Sequence, residues 1–136
     1  MDELPIIPSE YVLRSITYSQ YFPDKHQVTK KKTTRDKKVL TSLESALREP
    51  MEHLHLFAVD PKEERYTLLL NSGRNQIGMQ VFRTSLIVVN NEGYEPKTNN
   101  LYNILDSLPK SEIQRISYPK LKFSRAQKVP QYNLKY

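Results

Sequence analysis

The chemistry-bearing groups most concentrated in this chain are cations. Lys25 to Lys38 holds seven Lys and Arg residues, with Asp24 and Asp36 the acids at its edges. Ile113 to Tyr136 holds six, with no acid. Between them, Val39 to Glu112 carries seven basic and ten acidic residues, so a mildly acidic middle has basic flanks. That distribution fits an anionic partner, nucleic acid above all, the alternative being a merely solvated loop and tail. The candidate RNA-binding residues are Lys30, Lys31, Lys32, Arg35, Lys37 and Lys38 in the first stretch, and Lys120, Lys122, Arg125 and Lys128 in the second. The second also interleaves Tyr118, Phe123 and Tyr132 with its cations. Extended, it could follow a phosphate backbone while rings stack on bases. The other reading is a terminal strap whose aromatic side chains cover a sheet.

Other chemistries find less support. His53 and His55 have a spacing that places two metal ligands on one strand face, but the sequence sets neither a carboxylate nor a third histidine beside them, so no metal is expected. The chain has no cysteine, which excludes disulfides, thiolate metal sites and a cysteine nucleophile. No serine stands in a nucleophile-elbow pattern. The segment Asn71 to Gly78 contains two glycines without a phosphate-loop pattern, so it reads as a hairpin. No cofactor is implied.

The elements that must position these groups are legible in the apolar pattern. At 136 residues, with 38% hydrophobic residues and a mean hydropathy of −0.66, the chain is expected to form one domain. Residues 1–38 read as an N-terminal strand (Tyr11 to Phe22) and a basic surface loop or disordered insert. Residues 39–112 form the folded core and 113–136 a basic tail containing Tyr and Pro. Leu40, Leu43 and Leu47 lie at helical spacing, with Thr41 and Glu44 as a capping box and Pro50 as the stop. His53 to Asp60, Arg65 to Leu70, Gln76 to Phe82 and Leu86 to Val89 read as strands. Asn90 to Gly93 makes a turn of residues that tolerate positive φ. Thr98 is placed to cap a segment bearing Leu101, Ile104, Leu105 and Leu108 at helical spacing; strand is the alternative for Leu101 to Leu105. The expected fold is α+β: a mainly antiparallel sheet of four to six strands with one or two helices packed on one face. No run of 18 apolar residues and no basic-then-apolar leader is present, which points to a cytoplasmic protein without a membrane partner.

The helix ending in Leu47-Arg48-Glu49-Pro50, followed by Arg65 to Leu70, a hairpin, Ile77 to Phe82 and Leu86 to Val89, resembles the N-terminal part of ribosome-inactivating proteins. Asn99 to Tyr102 and Leu121 to Ser124 follow that family's order more loosely. The resemblance covers about half of the chain and implies a relative of rRNA N-glycosylases, toxins that inhibit translation by hydrolytic removal of one adenine from ribosomal RNA. In that family two tyrosines stack on the adenine, and a Glu and an Arg on a later helix carry the chemistry. Here Ile87 falls where the first tyrosine is expected, leaving Tyr94 and Tyr132 as the candidates for adenine stacking. The helix with the Glu and Arg would fall beyond residue 136. The resemblance therefore implies a truncated member with impaired catalysis, partnered with ribosomal RNA. The alternative is an unrelated small basic α+β module that binds RNA or an acidic protein without catalysis. On this alternative, RNA affinity should be weak and should fall with added salt. Charge reversal of Lys30, Lys31, Lys32, Lys120, Lys122 and Arg125 to Glu should abolish it in a binding titration; unchanged affinity would remove the electrostatic account.

Overall fold

The computed structural model of the chain describes residues 3, 4, 6–8 and 10–116. Its centre is the hairpin of β6 (Arg65–Asn71) and β7 (Gln76–Phe82); along β6, buried and exposed positions alternate strictly, from Tyr66 through Leu70. Gly73 turns the hairpin at φ 104°, a conformation glycine reaches without strain. Strand β2 (Ser15–Phe22) pairs with the other edge of β6 along its length, and β8 (Ile87–Val89) and β9 (Glu92–Glu95) extend the sheet beyond β7. The β8–β9 turn has Asn90 at φ 53° and Asn91 at φ 64°, the two successive left-handed residues of a type I′ hairpin. Gly93 lies beyond the turn and serves a different need. A Cβ there would stand 2.6 Å from Cδ1 of Phe57, whose ring lies against that backbone.

The α+β class, the mainly antiparallel sheet and the two helices agree with the sequence pattern. The sheet is wider than four to six strands. Among the described residues it has ten, in the order β1 (Glu3–Leu4), β5 (Met51–Leu54), β9, β8, β7, β6, β2, β3 (Gln27–Thr29), β10 (Ile113–Arg115), with β4 (Lys32–Thr34) also paired to β2 and every described pair antiparallel. The additional strands are short. The Lys-rich segment expected to be an unstructured loop supplies β3 (Gln27–Thr29) and β4 (Lys32–Thr34), which occupy successive stretches of the free edge of β2. Between them, Gln20 N donates to Thr29 Oγ1 at 2.8 Å, so a side chain replaces the missing ladder bond. The first residues of the expected tail form β10 (Ile113–Arg115) on β3, and β1 (Glu3–Leu4) closes the opposite edge against β5 (Met51–Leu54). β3, β4 and β10 are held by backbone pairing with little apolar side-chain burial, which hydrophobic patterning does not signal. The strand read over His53 to Asp60 ends at Leu54; Leu56 is 92% exposed, and Phe57 turns back onto Gly93.

Helix α1 spans Lys37–Arg48, starting before the expected capping box. Asp36 is its N-cap, its Oδ1 accepting from Lys38 N at 2.9 Å. Thr41 and Glu44 therefore lie inside the helix, and Glu44 does other work. Its Oε2 accepts from Leu13 N at 2.6 Å, while Arg48 Nη2 donates to Tyr11 O at 2.6 Å. The pair ties the segment before β2 to the helix through two charge-assisted bonds. Helix α2 (Asn100–Ser107) follows Thr98, whose hydroxyl accepts from Asn100 N at 3.3 Å, so the helical reading of Leu101 to Leu105 is the one observed.

The core fills the space between the helices and one sheet face. Leu40, Leu43 and Leu47 of α1 and Leu101 and Leu105 of α2 lie in one buried cluster with Ile16, Tyr18, Tyr66, Leu68, Leu70, Met79, Val81 and Ile87. Tyr66 couples the layers through its hydroxyl, which donates to Asp106 Oδ1 at 2.6 Å. Lys110 Nζ donates to the carbonyl oxygens of Leu105, Asp106 and Leu108 and so closes the C-terminus of α2. Burial, and then the Asp106 carboxylate, push the Tyr66 phenol far above its usual range; the same causes raise Tyr102 to about 12. The unfolded chain ionises both near about pH 10. The fold's stability should thus be intact below that pH and fall above it, by about 1.4 kcal/mol per pH unit for each phenol still protonated in the fold. Urea midpoints measured from pH 9 to about 11.5 test this, with Tyr102→Phe flattening the decline; a pH-independent midpoint would contradict it.

Candidate nucleic-acid interface

The second face of the sheet is built by the residues between the core positions. On β2, β6 and β7 these are Thr17 and Ser19, Thr67 and Leu69, and Gly78 and Gln80. Antiparallel register aligns them in two rows across the strands. One row runs Thr17, Leu69, Gly78; the other runs Ser19, Thr67, Gln80, Val88. Together they floor a concavity of about 550 Å³, with Lys31 from the β3–β4 turn and Asn90 and Asn91 from the β8–β9 turn also lining it. The topology puts those two turns on opposite sides of the floor.

Gly78 accounts for the depth at the centre. A Cβ built there would have no heavy-atom neighbour nearer than Leu68 O at 4.0 Å, so the glycine leaves open space above the sheet. Around it the lining residues present hydroxyls, carboxamides and the apolar surfaces of Leu69 and Val88. Among the described residues that line it, Lys31 is the one charged group, and none is a carboxylate. Towards the end of the same face, Arg65 Cζ sits 4.6 Å from the Phe82 ring and 5.3 Å from the Tyr21 ring. Arg65 also donates to the carbonyls of Asp60, Pro61 and Glu63, which makes it an anchor for that loop.

The structure gathers part of the basic set. Lys30, Lys31, Lys32, Arg35, Lys37 and Lys38 are all exposed and follow one another from the β3–β4 turn into α1. Lys30 is ion-paired with Glu112, and its amide donates to Glu112 O at 3.0 Å. The hydrogen bond from Lys30, followed by its charge, holds the Glu112 carboxyl below the usual carboxylate range. This contact fastens the turn to the residue just before β10 and leaves Lys31 facing the concavity. Lys120, Lys122, Arg125, Lys128 and Tyr132 lie outside the described residues.

Tyr94 does not join this face. It stands opposite Ile87 on one side and His53 on the other, with its ring 5.1 Å from the His53 imidazole, and it packs against the core cluster. Ile87 is fully buried on that same side. The carboxylate that sequence spacing did not place near the histidines comes from β9, where Glu92 Oε1 lies 2.7 Å from His53 Nε2. His55 is beyond β5, its ring 5.4 Å from that of His53. Among the described residues no three His, Asp or Glu side chains gather into a metal-binding group, and no helix is long and apolar enough to cross a membrane.

The floor residues escaped sequence analysis because Thr, Ser and Gln at alternate strand positions look like any solvated strand face. The usable signal was Gly78 inside an otherwise regular strand. No family model, curated protein or solved structure matches the chain. Because the space above Gly78 is open, Gly78→Ala should leave stability unchanged or raise it by about 0.5–1 kcal/mol, since glycine weakens strand interiors. Urea unfolding checks this; a loss of more than about 1 kcal/mol would mean that the glycine is required by the fold.

Proposed function

We propose that this chain is a non-catalytic RNA-binding lobe of the ribosome-inactivating type, using its helix-free sheet face and the adjoining basic turn. The observation that carries the reading is the meeting of Lys31 with a floor that holds no carboxylate, next to the exposed basic run from Lys30 to Lys38. A phosphate backbone gains from such an edge by releasing counterions, and no fixed acid on the floor opposes it. The order of α1, the short β5, and then β6, β7, β8 and β9 supports the resemblance to the N-terminal part of rRNA N-glycosylases, a helix followed by an antiparallel sheet.

Depurination needs a ring stacked on the base and charged groups around the developing ion. Tyr94 is committed to His53 on the core side, and Ile87 is buried. The Glu44 and Arg48 pair on α1 spends its hydrogen bonds on the backbone of Leu13 and Tyr11.

The reading is tested by anisotropy titrations of the full chain with a short labelled single-stranded RNA over a series of salt concentrations, alongside an assay for adenine release from ribosomes. The expected plot of log K against log salt falls with a slope of about −0.7 for each phosphate neutralised. Lys31→Glu with Lys32→Glu should reduce the magnitude of the slope by about 1.4, two phosphate contacts' worth, and no adenine should be released. Salt-independent binding, or no binding, would overturn the RNA reading; adenine release would overturn the non-catalytic part.

A further inference from the structure

We infer that the concavity on the helix-free face is a single-nucleotide pocket that takes one unstacked base together with its phosphate. The inference rests on the RNA-binding reading for its polymer-borne source, but its evidence is local. The volume of about 550 Å³ lies within the range of small-molecule sites, about 300–1,000 Å³. Gly78 exposes flat backbone beside the apolar side chain of Leu69, its partner on β6, and Val88 adds apolar surface in the adjacent row, opposite Gln80. A planar base can lie on that floor without meeting a Cβ.

The rim supplies what a base edge and a phosphate each require. Gln80 and Asn91 carry carboxamides, which offer a donor and an acceptor side by side and so can pair with the edge of a base. Lys31 is the lone charged liner, matched to a single phosphate group. A bare phosphate would use Lys31 alone and gain nothing from the floor. A small dicarboxylate has no planar ring to lie on the floor and no edge to pair with the carboxamides. The ligand chemistry that uses floor, amides and cation together is a nucleoside monophosphate unit, whether free or within an RNA strand.

The test is an amide chemical-shift titration of the full chain with the four ribonucleoside monophosphates, ribose 5-phosphate and inorganic phosphate, with short homopolymer RNAs in parallel. The expected result is saturable shifts at Thr67, Leu69, Gly78, Gln80 and Val88 with at least one monophosphate. Ribose 5-phosphate should bind at least about tenfold more weakly, because it leaves the floor and the amides unused. Gly78→Phe should remove the response by filling the floor. Two gentler variants guard against a folding defect. Gln80→Leu removes one amide at similar size, and Asn91→Gly removes another while keeping a residue that accepts positive φ. Each should lower monophosphate affinity.

Equal responses to inorganic phosphate and to the monophosphates would overturn the pocket, because the base would then contribute nothing. Full homopolymer affinity in folded Gly78→Phe, or monophosphate affinity unchanged in both gentler variants, would also overturn it; salt-sensitive polymer binding would still leave the RNA reading standing. Monophosphate binding without polymer binding would support the pocket as a site for free nucleotides and remove the RNA reading.

Discussion

Register along β6 governs both faces of the sheet at once. The strand pairs with β2 on one side and β7 on the other over seven residue pairs each. Side chains alternate with a period of two, so this pairing sends Tyr66, Leu68 and Leu70 to the helices and Thr67 and Leu69 to the concavity. A slip of one residue would expose three buried side chains and bury two that now face water. The buried Tyr66 adds a tether, since its hydroxyl bond to Asp106 links the middle of the sheet to α2. The concavity therefore inherits its rigidity from the core beneath it.

What the sequence made legible followed from period and punctuation. The leucines of α1 and α2, the β6–β7 hairpin around Gly73 and the asparagine turn after Val89 each have a local physical cause. What it hid depended on distant partners. Thr41 and Glu44 have the spacing of a capping box, yet Asp36 caps the helix earlier and Glu44 binds Leu13 N, a contact no local rule indicates. β3 and β4 form because β2 offers a free edge, and backbone groups pair there whatever the lysines beside them do. The meeting of His53 and Glu92 required the β5–β9 register. The concavity was invisible for the same reason: its two rows exist only once β2, β6, β7 and β8 are aligned.

The placement of charge does not serve local stability. Lys37 and Lys38 occupy the first turn of α1, where the helix dipole disfavours cations, and no acid follows within that turn. Asp36 offsets part of this as the N-cap. The ion pair of Lys30 and Glu112 fastens the β3–β4 turn to the residue before β10. Lys30 is thereby held at that turn with its charge paired, while Lys31 stays exposed beside the concavity. On the proposed reading an anionic ligand meets the sheet there.

The central claim is that RNA meets the helix-free face. Photocrosslinking the full chain to a single-stranded RNA carrying photoactivatable uridine, with the attached peptides identified by mass spectrometry, tests it most directly. The account predicts crosslinks on the β3–β4 turn and on β6, β7 and the Asn90–Asn91 turn. Crosslinks confined to the outer surfaces of α1 and α2 would contradict it.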